Sequence, residues 1–194
     1  MGLKLVIPAA SEPITLADLK LQCRVDTTDD DALLTACIAA ARAKAENYTE
    51  TALISQTWEQ TLDAFPAAEI ELRKPPVTSI TSVTYLDAAG ATQTLSSTLY
   101  TLDTATFPGW LLPKFNTPWP DTQGSANCVT MRYVTGYVNA AAVPADIVAW
   151  LKLTGAFLYA QRESIVLLGR SETMVEIPSR YVDSLLEPYR VFKV

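Results

Sequence analysis

With 194 residues, 49% of them hydrophobic and 19% charged, the chain is long and apolar enough to bury a real core, which excludes a disordered segment. Fifteen Lys and Arg against 21 Asp and Glu leave a formal charge of −6, with the cations scattered, the opposite of a surface that grips nucleic acid by its phosphates. The absence of histidine removes the commonest general base and the commonest metal ligand together.

The opening MGLKLVIPAASEP holds one short apolar run closed by a proline. No stretch reaches the roughly 20 apolar residues of a membrane span, so a soluble, non-exported chain without a membrane partner is expected. Gly2 does not open a myristoylation signal, because Val6 stands where Ser or Thr is wanted. Thr15 followed by Asp18 predicts a capping box opening a short helix to about Arg24. After a break at 26–31, DDDALLTACIAAARAKAENYTE places Leu33, Leu34, Cys37, Ile38, Ala41, Ala45 and Tyr48 on one face of a long amphipathic helix. Asp29, Asp30 and Asp31 invite a metal reading, but at a helix start carboxylates satisfy free N–H groups and complement the dipole, which is the preferred reading.

From Gln56 the pattern turns to alternation, and TWEQTLDAF, AEIELRK and VTSITSVTYLD read as strands. Pro75-Pro76 enforces an extended break, and Asp87-Ala88-Ala89-Gly90 reads as the turn of a hairpin whose second arm is ATQTLS. Residues 100–124, proline-rich and without a clean period, are expected to form a long, partly ordered loop. Its Trp110 and Trp119 are either a candidate partner-binding surface or aromatics pinning the loop to its own sheet. CVTMRYVTGY closes the β region, and Pro144 at the first helical position opens a second long helix through Ser164. Its apolar face, Ile147, Trp150, Leu151, Leu153, Thr154, Phe157 and Leu158, is wide enough to be covered on more than one side. After a glycine-containing link, Tyr181, Val182, Leu185 and Leu186 fall at helical spacing until Pro188 stops the segment. The expected class is α+β: a helical body, two long helices plus short N- and C-terminal ones, with an inserted antiparallel β region. The parts are 1–54, 55–138 and 139–194, the two helical parts forming one body.

Chemistry is sparse. Cys23, Cys37 and Cys128 have neither disulfide-framework nor zinc spacing and read as small buried residues in a reducing cytoplasm. No GxSxG, P-loop, GxGxxG or HExxH occurs. Gln161, Arg162 and Glu163, with Arg180 and Glu187 further on, are the nearest thing to a catalytic cluster, but adjacent helical residues diverge, so a solvated helix end is expected. Lys152 is read as snorkelling to solvent. No catalytic, cofactor-binding or metal residue is nominated, no cofactor is expected, and the chain is read as a non-enzyme.

In order along the chain, ITLADLKLQCRVDTTDDDALLTACIAAARAKAENYTETALISQTWE, PPVTSITSVTYLDAAG, VTMRYVTGY, VPADIVAWLKLTGAFLYAQRES and IPSRYVDSLLEPYR resemble the head-tail connector (adaptor) family of tailed double-stranded DNA phages and gene transfer agents. The stretches span residues 14–190. The resemblance implies a virion neck protein, made in the bacterial host cytoplasm. It would form a ring of identical copies, twelve-fold when assembled, between the portal protein and a tail-proximal stopper or tail protein, with double-stranded DNA passing through without sequence-specific contact. An acidic chain without basic clusters suits such a conduit. A ring also needs head-to-tail contacts, for which Trp150, Leu153 and Phe157 are candidates. The C-terminal segment, with Tyr181, Leu185, Leu186 and Tyr189, is the candidate portal-docking tail, and its deletion is expected to leave folding intact. One departure lies after the long helix, where the family pattern wants glycine and arginine and this chain has Glu50 and Thr51; the turn there and any intersubunit ion pair of that arginine are in doubt.

Two other classes remain. A tail-completion or stopper protein would be smaller or strictly monomeric with the β region dominant, which the amount of helix argues against. A cytoplasmic enzyme would need a polar cleft built without histidine.

Overall fold

The computed structural model describes residues 1–161 and 182–192, which fall into two units: Met1–Ala10 with Glu50–Val138, and Ser11–Thr49 with the described residues from Asn139 onward. The class is α+β.

In the helical unit, α1 (Leu16–Cys23) begins as its sequence predicts. Thr15 accepts from the Asp18 N–H at 3.1 Å while the Asp18 carboxylate accepts from the Thr15 N–H at 3.1 Å, and Arg24 closes the helix in the left-handed region at φ 57. Helix α2 (Asp31–Thr49) buries Leu34, Cys37, Ile38, Ala41 and Ala45, the expected face, whereas Leu33 is exposed and Tyr48 half-buried. Helix α3 (Ala145–Ala160) packs on both α1 and α2. Small residues permit the close approach: Ala41 and Ala45 are fully buried, and a Cβ on Gly155 would stand 3.0 Å from Leu19 Cδ1. Pro144 is the N-cap rather than the first helical residue, because its ψ of 142 is still extended. The expectation that α3 runs to Ser164 passes out of the described residues after Gln161.

The sheet unit carries the order β1-β2-β8-β4-β5, formed by Gly2–Ile7, Gln56–Leu62, Val129–Thr135, Val77–Leu86 and Thr92–Thr94, every pairing antiparallel. Alternation along these strands divides the two faces. Leu3, Gln60, Met131 and Val83 lie in one cross-strand row, with Trp58, Tyr133 and Ile80 in the next. The opposite face is hydroxyl-rich, with Thr61, Thr130, Thr84 and Thr94 in one row. Ile70, Leu72, Val83, Leu95, Leu111, Val129, Met131 and Tyr133 form the core. Burying each large aliphatic among them stabilises the fold by about 1.5–3 kcal/mol.

Two sequence expectations change here and a third holds. Residues 1–10 were assigned to the helical part, but GLKLVI alternates well enough to pair with β2 as an edge strand. Residues 100–124 are not one loop. Strands β6 (Tyr100–Asp103) and β7 (Trp110–Pro113) form an antiparallel hairpin, joined by β3 (Ile70–Glu71), the short remnant of the expected AEIELRK strand, into a second sheet of order β3-β7-β6. The prolines that obscured the period stand at the ends of these strands or beyond them. The predicted hairpin at 87–90 is present: Asp87 Oδ1 accepts from the N–H groups of Ala89 and Ala91, and Gly90 takes φ 83.

A buried polar network ties the two sheets together. Gln60, fully buried, donates to the Glu71 carbonyl at 2.9 Å and accepts from the Arg73 N–H at 3.1 Å and the Tyr133 hydroxyl at 2.8 Å. Tyr133 also donates to the Arg73 carbonyl at 3.1 Å. Burial pushes the Tyr133 phenol upward, so it stays a neutral donor. Each member satisfies groups that would otherwise cost about 1–3 kcal/mol unpaired.

Candidate assembly surfaces

The described residues hold no cluster of metal-ligating side chains, and the acidic run is engaged with side chains of its own unit. Lys20 Nζ is 2.6 Å from Asp31 Oδ1, and the Tyr159 hydroxyl donates to Asp30 Oδ2 at 2.6 Å. Of the helix-end cluster, Arg162, Glu163 and Arg180 lie outside the described residues.

Lys152 does not simply snorkel: its ammonium is 2.9 Å from Asp18 Oδ1. The Thr15 hydroxyl first, then Lys152, hold the Asp18 carboxyl at about 2, below its ordinary 3.8. A depressed carboxylate stabilises fully above its unfolded pKa and loses that contribution as pH falls through the folded one. The helical unit is therefore expected to lose stability between about pH 4 and pH 2. Since Asp18 is 38% exposed, screening keeps the effect below about 1 kcal/mol. In Asp18→Asn the acid limb of an unfolding-versus-pH curve should flatten; an unchanged slope would count against the assignment.

The surface candidates separate on burial. Trp150 is 1% exposed, with its Nε1 donating to Asp183 Oδ1 at 3.1 Å and the Lys44 ammonium 5.8 Å from its ring. It is core and cannot face a neighbour, because the wide face of α3 is largely used inside the unit. Leu153 and Phe157, one turn apart, are 43% and 63% exposed.

The C-terminal segment is likewise docked on its own unit. Helical backbone at Val182 and Asp183 gives way to a turn and then a 3-10 turn, Glu187–Tyr189, in which Pro188 fits because no donor is needed there. Leu186 is fully buried, the Val191 N–H donates to the Thr49 carbonyl at 2.9 Å, and the Tyr48 hydroxyl donates to Glu187 at 2.6 Å. The Arg190 guanidinium lies 5.1 Å from the rings of both Tyr48 and Phe192. Leu185 and Tyr189 are half-buried, while Tyr181 and the preceding link lie outside the described residues.

Both tryptophans of the proline-rich stretch are held by their own unit. Trp110 starts β7, the central strand of the second sheet. Trp119 stacks on Phe65 at 5.0 Å and 6°, and its Nε1 donates to the Ala68 carbonyl at 2.9 Å. Between them stands Phe115, 92% exposed, which the sequence reading did not single out. Its only signal there was an aromatic followed by Asn, a residue that tolerates left-handed turns.

Residues 13–85 match the family model of phage gp6-like head-tail connector proteins. The chain resembles a phage head-tail connector. No curated protein matches it. Solved structures extend the likeness in fold beyond the family match, covering 100% of this chain and 97% of theirs. One is the virion of a native gene transfer agent particle, at 22% identity and a TM-score of 0.78. Two are necks of such particles, both at 24% identity: an empty one computed with C6 symmetry, TM-score 0.77, and a native one computed with C12 symmetry, TM-score 0.70.

The connector match ends within β4, so it takes in α1, α2, β2 and β3 and includes the departure after α2. There Glu50 adopts φ 57, the conformation in which a glycine is favoured. Here that conformation carries a side chain, at a cost of about 1 kcal/mol. The Glu50 carboxylate is 3.4 Å from Lys74 Nζ and 3.8 Å from Arg73. Thr51, where an arginine was wanted, is 3% exposed and carries no charge for an intersubunit pair.

Proposed function

We propose that the chain is a structural head-tail connector at the neck of a phage or phage-derived particle, without catalytic activity. It assembles as a ring of identical copies between the portal and the next tail-proximal protein. The observation that carries this reading is the connector match over residues 13–85 within a full-length likeness to gene transfer agent particles, one neck of which was computed with C12 symmetry. In this reading the helical unit is the body, with the β region inserted into it, and the ring is twelve-fold. DNA passes through the centre without sequence-specific contact, consistent with a charge of −6 spread without a basic stripe. Leu153 and Phe157 belong to the contact between neighbouring helical units, and Leu185 and Tyr189 lie on the side that meets the portal.

The test is the mass of the purified chain by light scattering, alone and mixed with its neighbouring portal protein, with electron microscopy of any large species. Rings, alone or on the portal, are expected. A monomer that ignores the portal would overturn the reading and favour a stopper or tail-completion role.

A further inference from the structure

The helical unit has two sides, set by where α1 lies. On α3, Lys152 and Gly155 turn toward α1, where they meet Asp18 and Leu19; on α2, Arg42 turns the same way, 2.7 Å from Glu12 at the lead into α1. By the 3.6-residue period, the flank away from α1 carries Leu33 and Ala40 of α2 and Leu153 and Phe157 of α3, all exposed. Helices α2 and α3 are antiparallel, with Lys44 at Trp150 and Asp30 at Tyr159, so Leu33 and Phe157 stand at one level. Among the described residues the C-terminal segment covers this flank around Trp150 and Tyr48. The stretch with Leu33 and Phe157 stays an open apolar shelf, at 37% and 63% exposure.

The opposite side carries a knob. Leu21 lies two residues from the fully buried Leu19, about 200° around α1, and is 81% exposed. Knob and shelf each leave in water apolar surface whose burial is favourable. Each also has a charge beside it. Arg24, the C-cap three residues after Leu21, is exposed. Asp29 stands one turn before Leu33 and is exposed on the shelf side, whereas Asp31 turns toward α1 and Lys20. Although Arg24 and Asp29 are five positions apart, the connection between them crosses from α1 to α2, and among the described residues neither is in an ion pair.

We infer that Leu21 of one copy seats between Leu33 and Phe157 of the next, with Arg24 turned to Asp29. Knob and shelf stand on opposite sides of one unit, as a head-to-tail contact requires. A ring of many copies turns each by a small angle, so the incoming α1 runs nearly as the resident one does. The resident α1 is antiparallel to α2, with Glu12 at Arg42 and Lys20 at Asp31. Seating Leu21 level with Leu33 in that direction brings Arg24 to the Asp29 end of the shelf, so shape and charge agree on one register. This deepens the ring reading and rests on it: the exposed flank of α3 gains a named partner, α1 of the neighbouring copy.

The experiment is sedimentation velocity of the full chain over a concentration series, alone and with the portal protein present. It compares the wild type with Leu21→Glu, Phe157→Lys and the double variant, which sets a new ion pair across the contact. Both positions are exposed and both new residues favour a helix, so thermal melts should match the wild type. Each single variant should weaken self-association at least about tenfold, and the double variant should recover most of it. Single variants that associate as tightly as the wild type, or a double variant that recovers nothing, overturn this contact while the ring reading stands. A Phe157→Lys chain that melts well below the wild type and associates as tightly overturns it too, because the shelf is then covered within its own chain. A wild type that stays monomeric in both settings overturns both readings.

Discussion

Gly136→Ala should leave no stably folded sheet unit. Gly136 follows the last residue of β8, has φ 94, and donates its N–H to the Pro76 carbonyl at 2.8 Å. A Cβ there would stand 2.2 Å from the Ile54 carbonyl oxygen, 2.5 Å from its carbon and 2.9 Å from Ser55 N. The positive φ alone costs an alanine about 1 kcal/mol. The overlap costs more, because every atom met is backbone and cannot rotate away. Relief requires moving residues 54 and 55, which lead directly into β2, the neighbour of β8 along its whole length. A loss above about 4 kcal/mol is expected, against a typical total of about 5–15 kcal/mol for a domain. Soluble yield and a thermal melt followed by tryptophan fluorescence check it, and a variant melting within about 4 °C of the wild type would refute the argument. Gly155→Ala is the contrast. Its Cβ meets the two methyls of the buried Leu19 at 3.0 and 3.3 Å, an overpacking cost of about 1–3 kcal/mol that about 1 kcal/mol of helix propensity for alanine partly offsets, so a loss of at most about 2 kcal/mol is expected.

The same glycine shows what the sequence makes legible and what it hides. Thr15 and Asp18 announced α1 because a capping box is local, its partners three residues apart. The Asp87–Gly90 turn and the buried face of α2 were readable for the same reason. Gly136 in YVTGY looked like an ordinary strand end, since its constraint comes from Ile54, 82 positions away in the chain. Gln60 likewise reads as a polar residue of an alternating strand, yet it faces the core, and only the pairing of β2 with β8 brings Tyr133 to it. Among the assembly candidates, helical spacing put Leu153, Phe157 and Trp150 on one apolar face, yet the first two are exposed in their own unit and Trp150 is buried. Spacing assigns a face, but the burial of that face depends on Asp183 and on α2 arriving from elsewhere in the chain. Phe115 escaped notice because exposure of a single aromatic leaves no periodic trace.

The C-terminal segment carries the other large effect, and it reverses the sequence-based expectation that its removal leaves folding intact. Deleting residues 182–194 takes away Leu186, which is fully buried, the Asp183 carboxylate that receives the Trp150 indole N–H, and the Val191 N–H that satisfies the Thr49 carbonyl at the end of α2. Truncating one buried leucine alone costs about 2–5 kcal/mol, and leaving the buried Trp150 donor unpaired adds about 1–3 kcal/mol. Together these approach the whole stability of a small unit. The truncated chain should therefore lose the cooperative melt of its helical unit, seen as a broadened or absent transition in far-UV circular dichroism. Wild-type melting of the truncated chain would show that the docked segment contributes nothing. The consequence for assembly is direct: loss of portal binding on truncation would report unfolding rather than a docking site. Point changes that spare the core separate the two roles. Phe192→Ser, at a residue 65% exposed, should melt as the wild type, so any loss of portal binding it causes belongs to the surface.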